Sequence, residues 1–318
     1  MGKSKQDYIS RVASDPNIPV FYQPWWLDTL AGKDGWNAAV SYENERITGI
    51  WPYTIMRSWG QKISSPLPLT PYLGPHFYYP ENQYKITART SFLEKSLTEM
   101  IKQVQKERFK LFSQYTAPDF YNGPILQWHN FSQKAMSRFV IHNLEHLDLV
   151  FQNFKYNTRQ TIKKFNERGS IREEFNPDRL YELITESFNR RQQQPRYSKA
   201  TFLKLTEQIQ KEMDVKIYFA DSHQTKNVAS ILILISQDRA YLLSTGMSEK
   251  QNGAVTALIW HGIQVAGKKV NTFDFCGSMV PGIYQFFRGF GGQLESYYQL
   301  RAFSNKAIQL LYNLSGKG

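Results

Sequence analysis

Three short runs in the last quarter of the chain hold residue types that can do chemistry. The first is Gly246, followed by Asn252-Gly253-Ala254 at the head of an apolar stretch over 254–266. A helix starting there exposes unpaired N–H groups and a partial positive charge, which suits a phosphate-bearing cofactor or co-substrate. Val255, Leu258, Ile259, Ile263 and Ala266 recur at helical spacing, so that helix also buries a face. No full glycine-rich phosphate fingerprint is present, and an ordinary cap before a core helix fits the same residues.

The second run is Phe273-Asp274-Phe275-Cys276-Gly277-Ser278. A buried carboxylate must be paired or hydrogen-bonded, or its pKa rises. Asp274 therefore either orients or deprotonates an attacking amine, or braces the glycine turn through backbone N–H groups. The third run is Tyr284 to Gly292. Arg288 stands among Tyr284, Phe286, Phe287 and Phe290, with Gly289, Gly291 and Gly292 allowing close backbone approach. Arg288 could clamp a phosphate or carboxylate, and Tyr284 could protonate a leaving thiolate or alkoxide. Phe287 and Phe290 would wall the substrate groove. The competing reading is an aromatic plug with a solvated arginine.

A basic stripe precedes these runs. Lys155, Arg159 and Lys163 are four apart, and Lys164, Arg168 and Arg172 form an adjacent row interrupted by Glu167. Arg190, Arg191, Arg196 and Lys199 extend it. Arg159, Lys163, Arg191 and Arg196 are the candidate substrate-binding cations; a merely solvated face is the alternative. The formal net charge of +12 attracts polyanions such as RNA, nucleotide-linked substrates, coenzyme A phosphates or an anionic leaflet. The six histidines show no metal-ligand or triad spacing, so no metal site is expected. A lone cysteine excludes a disulfide framework and fits a reducing compartment. No apolar run approaches the roughly 20 residues of a spanning helix, which leaves peripheral membrane contact open. A cytoplasmic location is expected.

These residues need elements to hold them. Alternation predicts a hairpin from strands at 36–42 and 47–56, turning at Asn44-Glu45. Five prolines over 66–80 predict an extended wall. An amphipathic helix follows at 87–106, then strands at 111–115 and 139–149. The pattern restarts with helices at 151–168, 177–191 and 199–213. Strands follow at 215–220, 228–236 and 240–245, then the helix at 254–266, a strand at 272–275, a last strand at 297–302 and a helix at 305–313. The repeat of architecture predicts an α+β chain of two domains, 1–148 and 149–318, with the terminal helix packing back on the first.

At these residues the chain resembles the Fem-type acyltransferases and their GNAT-like acetyltransferase relatives. The likeness rests on Asn157-Thr158-Arg159-Gln160-Thr161-Ile162-Lys163-Lys164, the helix 254–266, Asp274-Phe275-Cys276-Gly277-Ser278, Phe286-Phe287-Arg288-Gly289-Phe290-Gly291-Gly292 and Phe21-Tyr22-Gln23-Pro24-Trp25-Trp26-Leu27. It implies two tandem GNAT-like domains, each a mixed, largely antiparallel sheet flanked by helices. It also implies transfer of an acyl or aminoacyl group from acyl-CoA or aminoacyl-tRNA, as co-substrate, to an amine of a cell-envelope precursor or sugar. No tightly bound cofactor is implied. The family commonly carries a lysine where Phe287 stands here, and Arg288 is the adjacent cation. A scaffold without that lysine could instead bind nucleotide sugar or RNA without chemistry.

Overall fold

The computed structural model describes residues 2–58, 60–80, 85–118, 120, 123–223, 225–248, 253–305, 308–310 and 312. The chain forms two compact units, Met1–Ala135 with Tyr297–Gly318, and Met136–Ser296.

The first unit opens with helices α1 (Lys3–Ala13) and α2 (Pro24–Ala31). Strands β1 (Trp36–Glu43) and β2 (Arg46–Thr54) form the expected hairpin, from Trp36 opposite Thr54 to Glu43 opposite Arg46. Asn44 and Glu45 both take positive φ, 47° and 65°, which matches the right-handed twist of a two-residue hairpin turn. A second short hairpin, β3 (Met56–Ser58) and β4 (Gln61–Ser64), follows. The proline-rich segment contributes only the two-residue strand β5 (His76–Phe77), on the edge of β2. Helix α3 (Ile86–Lys106) buries Phe92, Leu97, Met100, Ile101 and Val104. Strand β6 (Leu111–Tyr115), helix α4 (Gly123–Trp128) and the start of β7 (Ser132–His142) complete the unit.

The second unit begins inside β7. Asn143 at φ 58° ends that strand, so the expected strand over 139–149 stops at His142 and gives way to helix α5 (Leu147–Gln152). Helix α6 (Tyr156–Asn166), strand β8 (Gly169–Glu173) and helices α7 (Pro177–Asn189) and α8 (Lys199–Glu212) follow. The Asn176 and Ser198 side chains cap α7 and α8 by accepting from Arg179 N–H and Thr201 N–H. Then come β9 (Asp214–Ser222), β10 (Ala229–Ile235), β11 (Ala240–Met247), α9 (Ala254–Ala266), β12 (Thr272–Asp274), α10 (Pro281–Arg288) and β13 (Gln293–Phe303).

Within this unit the strand order is β7–β12–β11–β10–β9–β8. Every pair is antiparallel except β11 with β12. Residues of β10 are all buried, because both faces of the sheet are covered. Ile231 and Ile233 meet α9 at Gly262, while Ser230 lies opposite Gly246, against which α7 packs. Alternation along the strand thus makes three layers, with α9 on one face and α7 on the other.

The sequence boundary at 148/149 shifts to 135/136 for a physical reason. Val140 to His142 pair with β12, so they belong to the later sheet. From Tyr297 onward the chain rejoins the first unit, where Gln299 to Phe303 pair with β6.

Candidate active site

The parallel pair β11–β12 is very short. Only Ala240 opposite Phe273 and Tyr241 opposite Asp274 are in register. Beyond Tyr241, β11 continues to Met247 alongside β10, while the other chain leaves it: Phe275 N–H donates to Phe139 O at 3.1 Å, on β7. The edge of β11 over 242–247 therefore faces no strand among the described residues. This parting of β11 from β12 is the candidate cleft, with backbone groups of β11 on one side.

The departure is built by the Asp274 turn. Asp274 Oδ1 accepts from Cys276 N–H at 2.8 Å. Cys276 and Gly277 both take positive φ, 60° and 75°. Glycine does so freely, but a cysteine in the left-handed region is strained by roughly 1–2 kcal/mol. The surroundings must over-determine it. They do so through a buried ion pair. Asp274 is fully sealed, and its Oδ2 lies 2.6 Å from Arg138 Nη1 and 3.8 Å from Arg239 Nη1. Arg138 in turn donates to Glu295 Oε2 at 2.9 and 3.2 Å, and Glu295 Oε1 lies 3.1 Å from His142 Nε2. Burial raises the Asp274 carboxyl above its ordinary value, against the pull of Arg138, the Cys276 N–H and Arg239. For Glu295, burial is outweighed by Arg138 and His142, and its carboxyl is held low. Burial and the Asp274 charge push the Cys276 thiol well up.

The connection between α7 and α8 lies against the same part of β11. Tyr197 lies beside the Ser244 side chain on the open part of β11, and burial pushes its phenol up to about 12. Its ring stacks on Phe202 with centroids 5.8 Å apart, and its carbonyl accepts from Tyr181 Oη at 2.9 Å. Arg190 anchors the same connection by donating to Met247 O and Ser248 O at 2.8 and 2.6 Å.

The sequence candidates fall into three groups. Gly253 and Ala254 begin α9, but Gly253 (φ +100°) is pressed against Thr161 of α6, and Ala254 is wholly buried. Only their backbone can serve a ligand. Gly246 is a packing residue: a Cβ there would lie 2.6 Å from Ile184 N. Asn252 lies outside the described residues. Asp274 is sealed, so it touches no substrate and acts through the turn.

On α10, Tyr284 is half-buried against Phe139, with centroids 5.0 Å apart, and thus sits beside the residue whose carbonyl receives the departing strand. Arg288, one turn on, is exposed. Phe287 and Phe290 do not wall a groove. Both are buried around Phe275, at 4.9 and 5.5 Å, because the short helix must close the core beneath it. Phe286 is the ring left exposed.

Among the cations, Arg159 donates to Gln152 O at 2.5 Å, while Lys163, Arg191 and Arg196 are exposed. Sequence reasoning missed Arg138, Glu295, Tyr197 and Ser244. Their partners lie on other elements, up to 157 positions away, so no local spacing marks them. Among the described residues no His, Cys, Asp and Glu cluster has the make-up of a metal site.

Residues 152–288 match the acetyltransferase (GNAT) domain. FemX superposes with a TM-score of 0.64 at 12% identity, covering 99% of this chain and 98% of its own. L-PGS from Bacillus licheniformis gives a TM-score of 0.55 at 11% identity, over 92% and 96% of the two chains. A tandem GNAT protein from the clavulanic acid biosynthesis pathway gives 0.52 at 8%, over 94% and 93%. No curated protein matches the sequence. The GNAT match lies within the second unit. Over nearly its whole length the chain shares its fold with FemX.

Proposed function

We propose that this protein is an N-acyltransferase whose donor enters between β11 and the turn after β12. The parting of those strands after Tyr241 and Asp274 carries the reading. The donor is an acyl-coenzyme A or an aminoacyl-tRNA. Both bring phosphate, and the first-turn N–H groups of α9, with no acidic side chain beside them, suit an anion. The acceptor is an amine of a cell-envelope precursor or sugar. Its nitrogen attacks the donor carbonyl, and N–H groups on the open edge of β11 stabilise the oxyanion. The C–S or C–O bond then breaks. Tyr284 protonates the leaving thiolate or alkoxide, and the new amide nitrogen loses its surplus proton to solvent. Arg288 holds negative charge at the mouth, and Arg191 and Arg196, on the connection that carries Tyr197, attract an anionic acceptor.

Calorimetric titration with acetyl-coenzyme A and with charged tRNA tests this. Binding of one is expected, and silence from both would remove the reading. A non-catalytic scaffold is the second reading, favoured by Phe287 being buried where the resemblance expects a lysine. Turnover separates the two: Arg288→Ala abolishes it in an enzyme and only weakens affinity in a binder.

A further inference from the structure

The surface of α10 is unusually apolar for a helix in water. Met279 and Val280, just before it, are each 51% exposed, Phe286 is 37% exposed, and Leu294, just after it, is 53% exposed. Exposed aliphatic groups bunched within one short segment need an explanation, where scattered ones would not. The helix is only eight residues, roughly 12 Å, long.

Its C-terminal end is fastened to the start of α6. Lys155 N–H donates to Gly289 O at 2.9 Å, and a Cβ at Gly289 would lie 2.7 Å from Thr158 Oγ1. Next to Lys155, Tyr156 is 66% exposed. Along α6 and just beyond it, Lys155, Lys163, Lys164 and Arg168 are exposed. None makes an ion pair with a carboxylate among the described residues. Glu167 is the only acidic residue over 155–168, and no acidic residue stands between Asp274 and Glu295.

We propose that α10 with its flanks, together with α6, docks on an anionic lipid bilayer. Aliphatic and aromatic side chains beside unpaired lysines are the composition that lies in a bilayer interface: the apolar groups leave water and the cations meet lipid phosphates. Nucleic acid also attracts the cations, but Met279, Val280 and Leu294 have no π-face to stack on a base, and their exposure would gain nothing there. This partner is independent of the transfer chemistry.

Flotation of the full chain with vesicles tests it. Vesicles of phosphatidylcholine mixed with phosphatidylglycerol are expected to capture the chain at physiological salt, and phosphatidylcholine alone is not. Met279→Ser with Phe286→Ser should lose capture while the melting temperature holds. Lys163→Gln with Lys164→Gln should weaken it roughly 30-fold, at about a fivefold step per lysine. Equal capture by neutral vesicles overturns the proposal. So does a Met279→Ser, Phe286→Ser variant that binds vesicles unchanged. Tight binding of single-stranded RNA, with no capture by either vesicle, assigns the surface to nucleic acid instead and also overturns it.

Discussion

Arg138 Nη1 lies 2.6 Å from Asp274 Oδ2, and the two side chains are 3% and 0% exposed. One residue belongs to β7 and the other ends β12, so a single ion pair ties the strand that receives the departing chain to the turn that makes it depart. Such a pair costs desolvation, and its worth as net stability is small or negative. Its consequence is positional: with Asp274 held, Oδ1 is aimed at Cys276 N–H, and the strained turn persists.

Removing Asp274 takes from the buried Arg138 its shortest carboxylate contact and leaves Glu295, which is 26% exposed, as its remaining partner. Asp274→Ala is expected to cost about 2–3 kcal/mol, less than a wholly uncompensated buried charge because Glu295 still pairs with Arg138, and Arg138→Met with Asp274→Leu to recover part of that. Urea denaturation of the parent chain and the two variants measures it. A loss of less than about 1 kcal/mol for Asp274→Ala would mean that the pair does not hold the turn.

Acid should weaken both units. Burial alone would raise Glu107, but Lys62, Tyr53 and Asn37 outweigh it, and its carboxyl is held low, as is that of Glu295. Groups lowered on folding bind fewer protons folded than unfolded. Their stabilisation is present above the ordinary glutamate value of about 4.3 and is lost as pH falls through the lower folded value. Asp274, raised, acts in the opposite sense. Urea midpoints should therefore fall on acidification below about pH 4.3. Glu107→Gln should make that fall shallower, and an unchanged slope would refute the assignment.

Cys276 should be a slow thiol. Burial and Asp274 keep it protonated at neutral pH, and thiolate is the reacting form. Iodoacetamide should label the native chain at least about tenfold more slowly than the unfolded chain at the same pH, and the gap should narrow as pH rises. Equal rates would show an accessible thiolate.

The hairpin at Asn44-Glu45 was legible because turn chemistry and alternation are local signals. So was the helix 254–266, whose cap glycine and apolar spacing agree. The cleft was legible in its parts, Asp274 and the turn after it, but not in its bracing. Arg138 stands 136 positions from Asp274, and nothing near it in sequence marks it as a buried cation. Phe287 and Phe290 were misread for a related reason. Aromatic residues suit a groove wall and a core equally, and only the packing of α10 onto Phe275 decides between them. The unit boundary was misplaced because β7 continues as one strand from the first unit into the second.

Gly246 offers the sharpest test of how the cleft is walled. It lies opposite Ser230 on the face where α7 packs, and an added Cβ would sit 2.6 Å from Ile184 N and 2.7 Å from Leu183 C. Those are backbone atoms, so α7 itself must move. Gly246→Ala is expected to cost about 1–3 kcal/mol. The displacement should travel further, because α7 leads into the connection that carries Tyr197, which lies beside Ser244 on the open edge of β11. Donor affinity should therefore fall together with stability. Gly282, on α10, is the control: a Cβ there meets nothing within 4 Å, and Gly282→Ala should be neutral or stabilising by up to about 1 kcal/mol. Thermal melts with and without donor separate the two substitutions. If Gly246→Ala melted with the parent chain and bound donor equally well, α7 would not be the wall that sets the cleft.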